Sequence, residues 1–325
     1  MSRTVCYSSG SNFPDAFAVI AMEPLQKLFS SLIDYAGLFP PAGLDMPVVA
    51  DNYAQYMQNA HSWMLARLVV PLARLDEFES AWSGPDGLNT RISLLTPPLD
   101  APEFFDAVNR IAEFNNQVTP HTIDAIEVRV TDPAAVSNAL KLPAGVACFV
   151  EVPADNMRAV VDAIAQLNQP TRVFAKVRTG GVKPEMIPVA AYVAEFMCAC
   201  AKAGIGFKAT AGLHHPFRAE YPLTYEAGCD VGRMHGFINV FLGACLLNAN
   251  GLSAVELTEF LDTACPDDLE ITPETIAWRE HKIDANAIAD AREKFIISFG
   301  SCSFAEPIED LTSLSLLPEN PNATD

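Results

Sequence analysis

Short apolar runs alternate with amphipathic stretches along most of the chain, from about residue 28 onward. Each run ends in glycine, proline or a polar residue, which is typical of a strand that leads into a turn. The segments between the runs, such as 102–115, 156–167 and 188–203, carry apolar residues at i, i+3 and i+4 and are predicted helices. The predicted strands are residues 32–39, 66–71, 91–96, 125–130, 147–153, 173–178, 206–211 and 295–300.

Strands that alternate with helices favour a parallel sheet with right-handed crossovers. Eight such units predict an α/β fold of the (β/α)8 TIM-barrel class in a single domain, residues 28–317. An open doubly wound sheet is the competing architecture, but no G-x-G-x-x-G motif follows the first strand. The last β/α unit is extended, because two helical patterns, 235–248 and 253–263, and a polar stretch precede the eighth strand.

Charged side chains occur in four consecutive predicted strands, near their C-terminal ends. Alternate residues of a strand share a face, and neighbouring strands lie about 4.8 Å apart. If these residues face inward, they form one polar network of alternating sign at the barrel mouth, where barrel enzymes place their chemistry. They are Glu127 and Arg129 on the fourth strand, Glu151 on the fifth, Lys176 and Arg178 on the sixth, and Lys208 with the polar Thr210 on the seventh.

The alternative is that these charges face outward and pair with helix termini. Because an unpaired buried charge is costly, a cluster on four consecutive strands favours a site. Two inward lysines indicate amine chemistry, since a neighbouring cation favours the neutral amine that attacks a carbonyl. We predict Lys176 as the Schiff-base nucleophile and Lys208 as the perturbing cation. The same lysines could instead stay protonated and, with Arg178, clamp a carboxylate, enolate or phosphate.

Three further segments add candidates at the same end of the barrel. The turn Thr179-Gly180-Gly181 exposes backbone N–H groups that suit an anion, although a plain tight turn explains it equally well. Asp34 lies inside the apolar first strand, where it would orient a lysine or relay a proton, or serve as a turn residue. Ser298, Gly300 and Cys302 share one face of the eighth strand and its end, and their small side chains leave room for a ligand.

The adjacent histidines His214 and His215 follow the seventh strand, and His235 begins a helical pattern about 20 residues later. A histidine in such a position can serve acid–base catalysis. Together with Glu151 or Asp34, the three would alternatively bind a divalent metal. His235 has a structural alternative as well, since it could pack against or cap its own helix.

The candidate residues fall into a catalytic group and a substrate-binding group. Neither a resident metal nor a cofactor is predicted. The predicted catalytic residues are Lys176, Lys208, Glu151, Asp34, His214 and His235. The predicted substrate-binding residues are Arg178, Arg129, Glu127, Thr179, Gly180, Gly181, Thr210, His215, Ser298, Gly300 and Cys302.

The composition restricts the classes of function. A net charge of −19 argues against nucleic-acid and anionic-membrane partners, while a local Lys/Arg cluster still suits a small anionic substrate. The longest apolar run, 237–248, falls short of the roughly 20 residues of a membrane span. Eight cysteines without a C-x-x-C pair fit free thiols in a reducing cytoplasm. Self-association into a homo-oligomer stays open.

The two ends of the chain are predicted to lie outside the barrel. Residues 1–27 lack clear periodicity and are predicted to be a poorly ordered N-terminal extension, in which Met22 is a plausible start. Residues 318–325 contain no core-forming pattern and are predicted to be a frayed tail.

Five motifs resemble an uncharacterised bacterial family of (β/α)8-barrel-like proteins over residues 28–317. They are Asp34 with Phe39-Pro-Pro41, Lys176-Val-Arg-Thr-Gly-Gly181, Phe207-Lys-Ala-Thr-Ala-Gly-Leu-His-His-Pro216, His235-Gly-Phe-Ile-Asn239 and Ser298-Phe-Gly-Ser-Cys-Ser-Phe304.

A more distant resemblance is to class I aldolases of the deoxyribose-phosphate type, in which a Lys-x-x-Thr-Gly strand end carries the Schiff-base lysine. Lys176 with Thr179-Gly180 is similar to that strand end, Lys208 with Gly212 to a second lysine segment, and Asp34 to an acid of the first strand. Arg178 and the two adjacent histidines depart from the pattern, and the second glycine turn is displaced. The resemblance therefore implies a lysine-centred site more strongly than aldol chemistry.

Three hypotheses of function follow. The first is a lyase or aldolase-like enzyme that acts on a small anionic carbonyl metabolite through a Schiff base at Lys176. The second is a metal-dependent lyase or hydrolase with histidine and glutamate ligands. The third is a barrel without catalytic activity that binds an anionic ligand.

Overall fold

The chain folds into a closed barrel of eight parallel strands, and the predicted (β/α)8 TIM barrel is confirmed. A computed structural model describes residues 22–85, 87–167 and 172–318. Its strands are β1 (Ile33–Tyr35), β2 (Leu65–Pro71), β3 (Thr90–Leu95), β4 (His121–Arg129), β5 (Ala147–Glu151), β6 (Val173–Arg178), β7 (Phe207–Thr210), β8 (Ala219–Pro222), β9 (Val231–Met234), β10 (Leu269–Ile271), β11 (Thr275–Trp278), β12 (His281–Asp284) and β13 (Ile296–Ser301). β1 to β7 form the barrel in chain order, and β13 closes it between β7 and β1.

Helices surround the barrel on the outside. They are α1 (Glu23–Phe29), α2 (Met46–Tyr56), α3 (Leu75–Ala81), α4 (Glu103–Asn115), α5 (Met157–Ala165), α6 (Ala190–Ala203), α7 (Phe237–Asn250), α8 (Ala254–Thr263), α9 (Ala285–Lys294) and α10 (Ala305–Ser313). Parallel strands covered on the outer face carry apolar residues there; on β13, for example, Phe299 packs against Phe237 and Phe241 of α7.

The inside of the barrel is layered. Near the N-terminal ends of the strands it is filled by an apolar cluster of Ala125, Ala147 and Phe149, packed with Phe174 and Ile297. Because side chains alternate along each strand, residues two positions further on face the same interior nearer the C-terminal ends. On β4, β5 and β6 the positions that follow Ala125, Phe149 and Phe174 in this way hold the charged residues Glu127, Glu151 and Lys176.

The first described helix begins before residue 28, the predicted start of the domain. Residue 28 lies inside α1, and this helix buries Leu25, Leu28 and Phe29 against the rest of the protein. Apolar burial on one side of a seven-residue helix is too short a pattern to be detected by periodicity. The predictions for residues 1–21 and 319–325 lie outside the described residues.

The extension of the last β/α unit contains two small sheets as well as the predicted helices. A hairpin of β8 and β9 follows β7, and β10, β11 and β12 form an antiparallel sheet after α8. The second sheet occupies the stretch that looked merely polar. Its buried apolar residues are Leu269 on β10, Ile276, Ala277 and Trp278 on β11, and Ile283 on β12.

One apolar segment, Pro184–Ala203, has the length and composition of a membrane span, so the expectation that no run reaches that length is wrong. In the structure a separate 3₁₀ turn, Pro184–Met186, precedes α6. The helix itself has 14 residues. At 1.5 Å per residue it extends about 21 Å, less than the roughly 30 Å apolar thickness of a bilayer. Phe196 of α6 packs edge-on against Phe207 of the barrel.

Candidate active site

A column of alternating charges lies inside the barrel. The Lys208 Nζ is 2.5 Å from Asp34 Oδ2 and 2.6 Å from Glu127 Oε1. The Lys176 Nζ is 3.1 Å from Glu127 Oε2 and 2.8 Å from Glu151 Oε2. Glu127 therefore bridges the two lysines, and the order Asp34, Lys208, Glu127, Lys176, Glu151 alternates in sign. This is the arrangement that the strand alternation predicts.

The strand register places Glu151, Lys176 and Lys208 at one level. Glu151 pairs with Lys176 across β5 and β6, and Lys176 pairs with Lys208 across β6 and β7. Residues paired directly in a parallel ladder point to the same face. Glu127 lies on β4 two residues before Arg129, the register partner of Glu151, so its carboxylate reaches both ammonium groups from one layer below.

Glu127 and Lys208 are both buried, and each keeps its charge because of the other. Burial alone would raise the pKa of the Glu127 carboxyl, but Lys208 and Lys176 outweigh burial and hold it well below its ordinary range. Burial alone would lower the pKa of Lys208, but Asp34 and Glu127 outweigh it and raise the pKa above its ordinary value. Lys208 is therefore a fixed cation, stabilised further by the Phe149 ring 5.3 Å away.

A cavity of about 540 Å³ lies at the C-terminal ends of the barrel strands, directly above the column. The predicted site residues in its wall are Glu127, Arg129, Glu151, Lys176, Arg178, Gly181, Thr210, His214, Gly300 and Cys302. Lys176 is 5% exposed at the floor of this barrel cavity, whereas Lys208 is fully buried beneath it. Of the two lysines, Lys176 is the one that a ligand can reach.

The cavity wall carries more positive than negative charge. Arg129, Arg178 and Lys176 provide three cations against the two carboxylates of Glu127 and Glu151. The nearest guanidinium nitrogens of Arg129 and Arg178 lie 3.5 and 3.7 Å from Glu151 Oε1. Burial would raise the pKa of Glu151, but Lys176 and the two arginines lower it. An acidic protein thus presents a locally cationic pocket, which suits an anionic ligand.

Asp34 and Ser298 lie below the cavity and orient Lys208. The Ser298 hydroxyl donates to Asp34 Oδ2 at 2.6 Å, and both residues are fully buried. They do not reach the cavity wall. Asp34 contacts Lys208 there, and Ser298 contacts Asp34 instead of the cavity.

The turn after β6 is built around contact with the turn after β7. The Thr179 hydroxyl donates to the Ala211 carbonyl at 2.6 Å. A Cβ on Gly180 would lie 2.9 Å from the Gly212 Cα, and Gly212 has a φ of +73°. Both glycines are therefore required by the close approach of two backbones. Gly181 alone of the Thr-Gly-Gly turn lines the cavity.

His214 lies in the cavity wall and belongs to a second polar cluster. Its Nδ1 is 3.2 Å from Glu306 Oε2 and 3.8 Å from the Cys302 Sγ. Burial alone would lower the pKa of His214, but hydrogen bonds to Cys302 and Glu306 outweigh it and raise the pKa to about 9. His214 is thus an imidazolium at neutral pH and adds a further positive charge to the cavity.

The other two histidines have separate surroundings. His215 lines a second cavity beside the first, pairs with Asp310 at 2.6 Å and stacks on Tyr221. His235 is fully buried, and its Nε2 lies 2.8 Å from the Pro188 carbonyl. It is absent from the wall of the barrel cavity, so the structure does not bring this predicted catalytic residue to the lysines.

His235 predicts a pH dependence of stability. Burial, helped by Arg218, lowers its pKa to about 4. Because the folded pKa lies below the unfolded value of roughly 6.5, stability is fully present above pH 6.5 and is lost as pH falls towards 4. Between pH 6.5 and 5 the free energy of unfolding should drop by about 1.5 kcal/mol.

Urea unfolding of the native chain and of His235→Asn at both pH values measures this contribution. The variant has a lower free energy of unfolding at both pH values. Between pH 6.5 and 5, however, it should lose about 1.5 kcal/mol less than the native chain, since most carboxylates titrate below this window. Equal slopes in the two proteins would show that His235 is not the group responsible.

Residues not predicted from the sequence extend the column towards the N-terminal ends of the strands. Arg67 of β2 is buried, lies 3.9 Å from Asp34 and donates to Asp124 at 2.7 Å. Arg91 of β3 also pairs with Asp124, and the Ser93 hydroxyl donates to Glu127 at 3.0 Å. Arg67 could have been predicted from the sequence, because it is a charged residue inside a predicted apolar strand. Asp124 could not have been predicted in this way, because β4 begins four residues before its predicted start and Asp124 lay outside the predicted strand.

The predicted metal alternative finds no shared ligand geometry in the cavity. His214, His215 and His235 contact different partners, and Glu151 is held by Lys176 and the arginines. Among residues 22–85, 87–167 and 172–318, the side chains spaced closely enough for a common ion are Glu256, Glu280 and His281. None of these three lines the barrel cavity.

The fold and the site together define a class: a (β/α)8 barrel with a lysine–carboxylate network at the C-terminal ends of its strands. Comparison of the chain with protein-family models, with curated proteins and with solved structures found no match.

Proposed function

We propose that the protein is a lyase or aldolase-like enzyme that acts on a small anionic carbonyl compound through a Schiff base at Lys176. One observation carries this proposal: the Lys176 Nζ lies at the floor of the barrel cavity between two carboxylates, 3.1 and 2.8 Å away, with a second lysine sealed beneath it. A lysine at the strand ends of a barrel, reachable from the cavity, has the position that carbonyl chemistry requires.

Glu151 is placed to move the proton of Lys176. The neutral amine must attack the carbonyl carbon, and the carbinolamine that results must lose water to give the iminium. Glu151 lies 2.8 Å from the Nζ and lines the cavity, so it can accept the amine proton and return it to the departing hydroxyl. Glu127 stays ionised between the lysines and holds Lys176 in place.

Arg129 and Arg178 suit an anionic group on the substrate. Both lie in the cavity wall, and in the absence of substrate both sit near Glu151. A carboxylate or phosphate bound to them would share their charge with Glu151. The two arginines would then lower the pKa of Glu151 less than they do without substrate. With a higher pKa, Glu151 would be a better base for Lys176. Anion binding and amine activation are coupled in this way.

The iminium would accept the electron pair of the carbon–carbon bond that breaks. The β-hydroxyl of the leaving fragment would give its proton to the free carboxylate of Glu151, so that the fragment departs as a second carbonyl compound. The enamine that remains is then protonated and hydrolysed from Lys176. His214 lies in the same cavity as an imidazolium and is the candidate proton donor for the enamine carbon. The resemblance of the Lys-x-x-Thr-Gly strand end to class I aldolases supports this reaction class.

Reductive trapping tests the proposal without knowledge of the natural substrate. The chain is incubated with pyruvate or with acetaldehyde, reduced with borohydride and digested for peptide mass spectrometry. We expect a stable adduct on Lys176 and at least roughly tenfold more labelling with pyruvate, whose carboxylate pairs with the arginines.

The matched controls are Lys176→Met and Lys141→Met, the second at an exposed lysine. The first variant should lose the site-specific adduct and the second should keep it. Labelling of exposed lysines by both probes, with none on Lys176, would refute the nucleophile role.

A barrel that binds an anionic ligand without turnover is the second candidate function. The observation in its favour is that both ammonium groups lie in short ion pairs with carboxylates. In that case Lys176 acts as a permanent cation in a clamp with Arg178, and no covalent adduct forms.

A further inference from the structure

A thiol and an imidazole meet in the wall of the barrel cavity, apart from the lysine–carboxylate column. Cys302 directly follows β13 and His214 follows β7, two strands that are neighbours in the barrel. The Cys302 Sγ lies 3.8 Å from His214 Nδ1, and both residues line the cavity. Neither is needed by the ion pairs of Lys176.

The charged and titratable groups around this pair come from three further elements. Glu306 of α10 lies 3.2 Å from His214 Nδ1. The Tyr225 hydroxyl, from the turn between β8 and β9, donates to Glu306 at 3.1 Å and lies 3.8 Å from the Cys302 Sγ. Tyr35 lies on β1, and burial raises its pKa to about 12. Glu306 thus contacts the imidazole of His214, and Tyr225 contacts the thiol of Cys302.

The electrostatics favour a proton on His214. The pKa of His214 is raised to about 9, against burial, by its hydrogen bonds to Cys302 and Glu306. An imidazolium next to a cysteine stabilises the thiolate, which is the nucleophilic form. Glu306 opposes this effect through its own negative charge but also keeps the imidazolium protonated.

Other cysteines of the described chain lie in a different environment. Cys148, Cys200 and Cys245 are buried among apolar side chains, and burial raises the pKa of each thiol. Thiols of that kind are inert. Cys302 differs from these three because it is buried against polar partners and faces a cavity.

We propose that Cys302 is a reactive thiol that adds to conjugated carbonyl compounds bound in the barrel cavity, with His214 as its proton partner. His214 already holds the proton of the pair as an imidazolium, so the sulfur reacts as the thiolate and forms a bond to the β-carbon of the conjugated system. The π electron pair moves to the α-carbon, which takes the proton from the imidazolium. The sum is one thiol plus one alkene giving one thioether, with no other reactant. This reaction does not depend on a Schiff base at Lys176.

N-Ethylmaleimide, a conjugated carbonyl compound, is the probe. The folded chain is treated with a limiting amount, and the alkylation rate of each cysteine is read by peptide mass spectrometry. Although it is buried, Cys302 should react at least roughly tenfold faster than Cys198 and Cys265, which are more exposed but have raised pKa values.

His214→Gln removes the proton partner, and His281→Gln, far along the chain in β12, is its matched control. The first variant should slow alkylation of Cys302 by roughly tenfold or more, and the second should leave it unchanged. An equal rate in His214→Gln and the native chain, or a rate for Cys302 no higher than for Cys198, would overturn the proposal.

If His214→Gln unfolds, Cys148 and Cys200 will become reactive, and the pH profile of the native chain decides instead. A thiolate paired with His214 reacts at a rate that is level from about pH 7 to 8. A rate that rises tenfold per pH unit through this interval belongs to an ordinary thiol and contradicts the pair.

Discussion

Lys208→Met should lower the free energy of unfolding by about 3–5 kcal/mol, the cost of breaking a buried ion pair by removing one partner. Lys208 is fully buried, and its ammonium contacts Asp34 and Glu127 at 2.5 and 2.6 Å. Without it, Asp34 keeps the Ser298 hydroxyl and a distant Arg67, while its Oδ1 already lacks a hydrogen bond. A carboxylate would then remain in the barrel interior with too little compensation.

Urea unfolding measures the loss, and Lys141→Met at an exposed site provides the matched control. The double variant Lys208→Met/Asp34→Asn removes both charges and should lose roughly 1–3 kcal/mol less than the sum of the two single variants. Strictly additive losses would indicate that Lys208 and Asp34 do not stabilise each other, and a loss under about 1 kcal/mol for Lys208→Met would indicate a solvated lysine.

Lys176→Arg should abolish borohydride trapping of pyruvate, with a loss of at least about 1000-fold. A guanidinium stays protonated and cannot form a Schiff base, but it keeps the positive charge that Glu127 and Glu151 require. Under the alternative of an electrostatic clamp, the same substitution preserves the interaction with an anionic ligand. The variant therefore separates a nucleophile from a permanent cation.

The measurement combines two probes on one variant. Pyruvate trapping reports covalent chemistry, and the affinity for lactate, which has the carboxylate but no carbonyl, reports the cationic pocket. We expect trapping to vanish while lactate affinity changes by less than about tenfold. Lys141→Arg is the matched control and should leave both unchanged. Persistent trapping in Lys176→Arg would place the Schiff base on another lysine.

Much of the barrel could be predicted because each barrel strand carries a local signal. All eight predicted strands coincide with barrel strands, since buried parallel strands are short apolar runs that end at turns. Boundaries were less accurate. β1 ends at Tyr35, four residues before its predicted end, and β4 starts at His121, four residues before its predicted start. Asp124 was lost from the candidate site for that reason.

The site was predictable as far as strand alternation reaches. A charge inside an apolar strand is visible in the sequence, and its face follows from the period of two. Glu127, Glu151, Lys176 and Lys208 were found in this way. The role of Thr179 and Gly180 was not, because their partners, Ala211 and Gly212, belong to the next strand's turn. Contacts between turns that are distant in sequence have no local periodic signal.

The sequence by itself determined the fold class, the lysine-bearing strands and the acidic charge of the whole chain, since these depend on local patterns and on composition. Only the tertiary structure decided which lysine is accessible, because Lys176 is 5% exposed at the cavity floor while Lys208 beneath it is fully buried. It also separated His235 from the cavity and joined His214 to Cys302. Distances between side chains on different strands depend on barrel closure and register, which no single segment encodes.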